Sequence, residues 1–127
     1  MKMNKVLKIL VVDDEPEIRN LFKLLLEGEG HFVEVAENGK VGVELFKKSL
    51  FDVVLLDVHM PIMTGPEALK AIKEYKPDQP VVIFSSSSDP DLHFEKQAEK
   101  LGAFTCLFKP VSVDEILEIV GKATAAV

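Results

Sequence analysis

The sequence is poor in several features that would each mark a class of protein. Cys106 is the sole cysteine among 127 residues, so no internal disulfide can form, and a reducing, cytoplasmic compartment is expected. No apolar run approaches the ~20 residues of a membrane span, and the N-terminus lacks the long apolar segment and cleavage site of a signal peptide. Acidic residues outnumber basic ones, 21 to 15, which disfavours direct binding of nucleic acid or of an anionic membrane by this segment.

What the chain does contain is the composition of one globular domain, with 47% hydrophobic and 28% charged residues. We therefore expect residues 1–127 to form a single domain. Short apolar runs, mostly without polar alternation, predict strands that are buried on both faces. These runs are Lys8–Val12, Val53–Leu56, Val81–Phe84 and Phe104–Phe108, with a weaker one at Phe32–Ala36.

Between the apolar runs, hydrophobic residues recur at helical spacing. Helix starts are indicated at Asn38-Gly39, at Asp89-Pro90 and at Ser112 with Glu115, and helix ends at Gly28, Gly30 and Gly102. The chain thus alternates strand and helix five times. Such alternation predicts an α/β fold in which helices cover both faces of a parallel sheet.

Polar side chains follow four of the predicted strands, at the point where each strand ends. They are Asp13 and Asp14, Asp57, Ser85 and Ser86, and Lys109. The carboxyl ends of parallel strands share one edge of the sheet, where open α/β sheets bind their ligands. Taken singly, each has a plainer interpretation: Asp14 with Glu17 as a helix cap and capping box, Asp57 as a turn residue, Ser85 and Lys109 as surface residues. Together they favour a common cleft.

Such a cleft is suited to phosphoryl chemistry. Clustered carboxylates repel one another unless a cation lies among them, and a set of oxygen ligands without a His or Cys cluster favours a hard ion such as Mg²⁺, Mn²⁺ or Ca²⁺. A lysine and a hydroxyl group suit the oxygens of a phosphoryl group. A carboxylate can itself be the nucleophile, and Asp57, alone at its strand end, is the best placed to react.

Four segments together resemble the receiver domain of two-component response regulators. They are VVDDE (Val11–Glu15), LLDVHMPIMTG (Leu55–Gly65), FSS (Phe84–Ser86) and LFKP (Leu107–Pro110), and the resemblance extends over nearly the whole chain. It implies a flavodoxin-like (βα)5 fold with strand order 2-1-3-4-5. It also implies a signalling module whose own chemistry is limited to phosphoryl transfer onto itself and autodephosphorylation.

The resemblance assigns roles to individual residues. Asp57 would accept a phosphoryl group from a histidine kinase or a histidine phosphotransfer protein. Mg²⁺, or Mn²⁺, would be held by Asp14 and Asp57, by Asp13 through water and by the main-chain carbonyl of His59. Ser85, Lys109 and the neighbouring Ser86 would contact the phosphoryl oxygens. The face made by the fourth helix, fifth strand and fifth helix would then change, and with it the binding of a downstream protein or output domain.

Some features depart from the family pattern or leave alternatives open. Cys106 stands three residues before Lys109, where the family usually has Tyr or Phe, so Phe104 or Phe108 on the same strand face is a hypothetical substitute. A phosphohydrolase with an aspartyl nucleophile is an alternative, although it would want a second acid where this chain has His59. A pseudo-receiver that binds partners without phosphorylation is another, and acidic strand ends disfavour a flavin carrier. Both a stand-alone regulator and a fragment of a larger one remain open.

Overall fold

A computed structural model describes residues 6–58, 60, 62–86, 99–109 and 111–125. Several predictions fall outside this description: the main-chain carbonyl of His59, the side chains of Ser86, Phe108 and Lys109, and the helix start at Asp89-Pro90. These remain predictions. Within the described residues, no helix has the length and apolar character needed to cross a membrane.

The core of the fold is a five-stranded sheet with the order β2-β1-β3-β4-β5, in which all neighbouring strands are parallel. The strands are β1 (Lys8–Val12), β2 (Phe32–Ala36), β3 (Val53–Asp57), β4 (Val81–Ser86) and β5 (Thr105–Lys109). The predicted order 2-1-3-4-5 is confirmed. The chain reverses its direction of travel across the sheet at the β1–β3 pair, so the crevice for a ligand is expected outside the carboxyl ends of these two strands.

Helices cover both faces of the sheet. The described helices are α1 (Pro16–Gly28), α2 (Gly39–Lys48), α3 (Gly65–Tyr75) and α4 (Val113–Ala125). Side chains of β1 alternate between two hydrophobic clusters, Leu10 and Val12 packing on the α2–α3 side and Ile9 and Val11 on the α1–α4 side. Because both faces are covered, β1 is apolar from Ile9 to Val12, which is why its sequence lacks polar alternation.

β1 and β2 have the predicted bounds, whereas the other three strands extend further toward their carboxyl ends than the apolar runs predicted. β3 includes Asp57, β4 includes Ser85 and Ser86, and β5 begins at Thr105 and includes Lys109. Polar side chains do not interrupt backbone pairing, and the N–H of Val58 still donates to the carbonyl of Phe84 at 2.9 Å. Asp57, Ser85 and Ser86 therefore stand on strands, whereas Asp13 and Asp14 lie just after the end of β1.

Most of the predicted helix boundaries are confirmed. Asn38 caps α2 by accepting from the N–H of Val41, and Ser112 and Glu115 form both hydrogen bonds of a capping box, at 3.2 and 3.1 Å. α1 is different. Its N-cap is Glu15, which makes no side-chain cap hydrogen bond, so the interpretation of Asp14 with Glu17 as a cap is wrong. Pro16 at the first helical position already fixes the backbone there.

Candidate functional site

Four carboxylates lie together at the carboxyl ends of β1 and β3. Asp13, Asp14, Glu15 and Asp57 each offer one oxygen atom, and these atoms all lie within 4.8 Å of one another. Asp13 and Asp57 are buried, whereas Asp14 and Glu15 are exposed. The sequence predicted three of these acids. Glu15 ends the segment VVDDE, but no sequence pattern assigns it a role in the site, and only its position beside Asp14 indicates one.

Asp13 is fixed by its backbone and by its side chain. Its N–H donates to the carbonyl of Ala36 at 3.1 Å, and its Oδ1 accepts from the N–H of Glu15 at 2.9 Å. Its carbonyl oxygen accepts from Nη1 of Arg19 at 2.7 Å. Sequence patterns gave no indication of the Arg19 contact, although Arg19 is the only arginine of the chain.

Asp57 is the last residue of β3 and is 5% exposed. The chain returns against it at Gly65, whose N–H donates to the carbonyl of Val58 at 2.9 Å. A Cβ atom at position 65 would overlap the main-chain oxygen of Asp57 and would lie 2.7 Å from the Cα atom of Val58. The missing side chain of Gly65 is therefore what allows the loop after β3 to close tightly behind the carboxylate.

The loop between Asp57 and Gly65 has its own anchors. A Cβ atom on Gly39, at the start of α2, would come within 2.7 Å of the Met63 carbonyl oxygen, so the loop packs closely on that helix. Ile62 has a φ of 71°, a left-handed conformation that is rare for a β-branched residue, and its side chain is 76% exposed. The loop that follows Asp57 therefore carries an exposed apolar side chain at Ile62.

Ser85 lies beside this cluster on the neighbouring strand. The register pairs Asp57 with Phe84, so Ser85 stands one residue beyond Asp57 toward the carboxyl edge, and it is 3% exposed. Ser86 pairs with Lys109 along the backbone of β4 and β5. The strand order therefore brings the Lys109 backbone to the same edge of the sheet, two strands from Asp57.

Cys106 lies on β5 and is half-buried against the α2–α3 cluster. It thus occupies a packed position on β5, the strand that the sequence predicted. Phe104 lies just before β5 and is 40% exposed. Whether an aromatic residue takes over the usual switch position stays a hypothesis.

The donor set fits a hard divalent cation. The four acids supply oxygen atoms only, and Mg²⁺ and Mn²⁺ prefer such ligands over the sulfur and imidazole groups that select zinc. An acidic cluster of this kind is typical of the magnesium site of receiver domains. Two of the acids are buried and the adjoining pair is exposed, so the cluster is accessible from solvent on one side.

Comparison with known proteins identifies the family. A family model described as the response regulator receiver domain matches residues 9–121. This chain belongs to that family. The acidic pocket of Asp13, Asp14 and Asp57 is consistent with its phosphoacceptor site.

Solved structures agree with this assignment. A response regulator receiver domain protein from Clostridium thermocellum superimposes with a TM-score of 0.89 at 34% identity, covering 95% of this chain and 96% of that one. The chemotaxis protein CheY4 of Vibrio cholerae gives a TM-score of 0.86 at 29% identity, covering 94% of this chain and 99% of that one.

Similar curated proteins are longer than this chain. The transcriptional regulatory protein ZraR of Klebsiella oxytoca is 38% identical over 117 residues, which cover 92% of this chain and 26% of ZraR. The transcriptional regulatory protein YdfI of Bacillus subtilis is 37% identical over 118 residues, which cover 91% of this chain and 54% of YdfI. The chain thus spans about a quarter to a half of the length of these relatives.

Proposed function

We propose that this receiver domain is a phosphorylation switch in which Asp57 accepts the phosphoryl group. The observation that carries the proposal is the cluster of four carboxylates within 4.8 Å, with Asp57 buried at the end of β3. Of the four, Asp57 alone comes from β3, facing the three acids that follow β1. Asp57 is thus placed to react with phosphorus while sharing the bound cation with the acids that follow β1.

In the reaction, an oxygen of the Asp57 carboxylate forms a bond to phosphorus. The bond between phosphorus and the imidazole nitrogen of a phosphohistidine breaks, and its electron pair stays on the imidazole. Ser85 is proposed to donate a hydrogen bond to a phosphoryl oxygen, and Lys109, with Ser86 beside it, to balance the phosphoryl charge. The protein's contribution is therefore mainly position and charge.

Mg²⁺ is the proposed cofactor, with Mn²⁺ as a substitute. Asp14 and Asp57 would hold it, with Asp13 contributing through water and the main-chain carbonyl of His59 completing the set. The bound ion supplies positive charge that offsets the carboxylates and the phosphoryl oxygens. Glu15 offers a further oxygen atom at the same edge.

The proposed partners follow from the family. A receiver domain implies a histidine kinase, or a histidine phosphotransfer protein, as phosphoryl donor, and an output domain or a separate protein as target. We propose that residues 1–127 form one such domain in the cytoplasm. The face made by the predicted fourth helix of the chain, β5 and the last helix, Val113–Ala125, would transmit the phosphorylated state.

The test is phosphorylation by a small acyl phosphate. The purified protein is incubated with acetyl phosphate and Mg²⁺, and its intact mass is measured with and without hydroxylamine treatment. We expect one added phosphoryl group that hydroxylamine removes and that Asp57→Asn abolishes. Asp52→Asn is the matched control, because Asp52 lies at the opposite end of β3, where its Oδ2 accepts from the N–H of Lys8 at 2.8 Å.

Other outcomes would point to other functions. If the wild-type protein gains no phosphoryl group at any Mg²⁺ concentration, the phosphorylation switch is wrong and a pseudo-receiver is favoured. Continuous turnover of unrelated phosphate esters, lost in Asp57→Asn, would identify a phosphohydrolase. An adduct that persists in Asp57→Asn would move the phosphoacceptor to another residue.

A further inference from the structure

The guanidinium group of Arg19 donates a hydrogen bond to a backbone atom at the edge of the acidic cluster. The chain has 15 basic residues, and Arg19 is the only arginine among them. It is half-buried in the second turn of α1, and its Nη1 donates to the carbonyl oxygen of Asp13 at 2.7 Å. A hydrogen bond from a charged donor at this distance is among the stronger ones in proteins.

The accepting oxygen belongs to the peptide bond that joins Asp13 to Asp14. A peptide unit is planar, so a hydrogen bond to its oxygen orients the whole plane, including the Cα atom of Asp14. The next N–H group, that of Glu15, donates to Oδ1 of Asp13 at 2.9 Å. Asp14 therefore lies between two peptide units that are each fixed by a hydrogen bond.

This arrangement matters because Asp14 is exposed, so burial does not orient its side chain. Asp13 and Asp57 are buried, and the sheet around them limits their movement. The N-cap residue of α1, Glu15, makes no side-chain cap hydrogen bond, so Pro16 and the backbone fix the start of the helix. The backbone on either side is what aims the Asp14 carboxylate at the other acids.

We propose that Arg19 is a positioning residue for the cation site, acting through the Asp13–Asp14 peptide. This inference rests on the proposed function, because it concerns the same acidic cluster. Because the peptide is fixed before Mg²⁺ binds, less conformational entropy is lost when the ion orders its ligands. The positive charge of Arg19 acts in the opposite sense, since it repels a cation. Loss of positioning should therefore weaken Mg²⁺ binding, whereas loss of the charge alone should strengthen it.

The experiment measures Mg²⁺ affinity directly. Amide NMR shifts are followed during a Mg²⁺ titration at constant ionic strength, which suits a protein without tryptophan as a fluorescent reporter. Arg19→Met removes the donor and the charge and keeps an apolar stem, whereas Arg19→Lys keeps the charge and one donor. We expect Arg19→Met to bind Mg²⁺ about tenfold more weakly, at the lower end of the effects seen for groups that orient metal ligands. Arg19→Lys should fall between Arg19→Met and the wild type.

Lys23→Met is the matched control. Lys23 is also half-buried on α1, one turn beyond Arg19, so the variant removes the same charge from the same helix. We expect its Mg²⁺ affinity to equal or slightly exceed that of the wild type. If Arg19→Met binds Mg²⁺ as tightly as the wild type or more tightly, the positioning role is wrong and only the charge effect remains.

A second measurement distinguishes positioning from general support of the fold. The rate of phosphorylation by acetyl phosphate is measured against Mg²⁺ concentration, together with the free energy of unfolding of each variant. Positioning predicts a higher half-saturating Mg²⁺ concentration in Arg19→Met and an unchanged rate at saturating Mg²⁺. A lower free energy of unfolding with an unchanged half-saturating Mg²⁺ concentration would overturn the proposal. If Arg19→Met fails to fold, the same comparison is made with Arg19→Lys.

The two proposals fail in different ways. If the wild-type protein neither binds Mg²⁺ nor gains a phosphoryl group, the proposed function itself is wrong. If the wild type does both and Arg19→Met binds Mg²⁺ equally well, only the role of Arg19 is wrong.

Discussion

At the scale of single residues, the site depends as much on missing side chains as on charged ones. Gly65 lies against the main-chain oxygen of Asp57, and any Cβ atom there would overlap it. Its N–H also closes the loop by donating to the carbonyl of Val58. The backbone position of Asp57, the proposed phosphoacceptor, is therefore tied to a glycine eight residues further along the chain.

Replacing Gly65 with alanine should damage both stability and phosphorylation. The new methyl group forces the backbone of Asp57 and Val58 to move, which we expect to cost about 1–3 kcal/mol in the free energy of unfolding, as for other overpacked sites. Urea unfolding measures this cost, and the rate of acetyl phosphate labelling should fall with it because Asp57 is displaced.

Gly121→Ala provides the control for Gly65→Ala. A Cβ atom on Gly121, inside α4, would meet no atom within 4 Å. Alanine there should raise the free energy of unfolding by about 0.5–1 kcal/mol, because it favours the helix over the unfolded chain. A Gly65→Ala variant as stable as the wild type would show that the loop is not closely packed on Asp57.

At the scale of elements, α3 begins directly after the loop that follows Asp57, and a capping box fixes its first turn. The N–H and the hydroxyl group of Thr64 donate to Oε1 of Glu67 at 3.1 and 3.0 Å, and the N–H of Glu67 donates to Oγ1 of Thr64 at 3.3 Å. The two hydrogen bonds to Oε1 stabilise the charged carboxylate of Glu67. They lower the pKa of Glu67 below its ordinary value of 4.5, the backbone N–H of Thr64 contributing most.

The pKa of Glu67 should therefore report on this cap. A carboxyl group whose pKa is lowered by folding adds stability above the unfolded pKa, and this contribution is lost as the pH falls through the lowered value. NMR titration of the side-chain carboxyl carbons should give a pKa for Glu67 below 4.5 in the wild type. Thr64→Ala removes the hydroxyl donor, so the pKa should move part of the way back toward that value.

Glu118 is the internal reference for the Thr64→Ala titration. Its pKa is also lowered, mainly by the hydrogen bond from Lys122, whose Nζ lies 2.7 Å from Oε1 of Glu118 on α4. Thr64→Ala should leave it unchanged. A Glu67 pKa at the ordinary value in the wild-type protein would contradict the capping box.

At the scale of the whole molecule, an acidic chain concentrates four carboxylates in one cluster. The net charge is −6, and two of the clustered acids are buried, where the repulsion between like charges is least screened. A divalent cation that binds only the folded state would offset this repulsion. Cation binding at the proposed metal site would thus make the free energy of unfolding depend on the cation concentration.

Mg²⁺ should consequently raise the thermal stability of the protein. At a free Mg²⁺ concentration 100 times its Kd, the gain in the free energy of unfolding is about 2.7 kcal/mol if the unfolded chain does not bind the ion. Thermal unfolding is followed with MgCl₂ and with NaCl of equal ionic strength, and a chelator should reverse the gain. Asp14→Asn should reduce the Mg²⁺-dependent part, and equal effects of the two salts in the wild type would argue against a specific site.

Much of the fold could be predicted because its signals are local. The apolar run Val53–Leu56 predicted a strand without long-range information, since a strand buried on both faces needs apolar residues at successive positions. The caps at Asn38 and Ser112 were likewise predictable, because a cap depends on neighbours three residues away. The strand order was different: it came from family resemblance, because no local pattern specifies which strands pair.

Only the tertiary structure decided how the site is assembled. The pairing of β1 with β3 brings Glu15 and Asp57 together from positions far apart in the chain, and this pairing depends on long-range register rather than on composition. The contact of Arg19 with the Asp13 carbonyl is a further example, because a charged side chain is expected in a salt bridge or in solvent, whereas this one donates to a backbone oxygen. The sequence by itself determined which residues are candidates for the proposed chemistry; the folding of the chain decided which of them lie together, because those contacts join residues that are distant in the sequence.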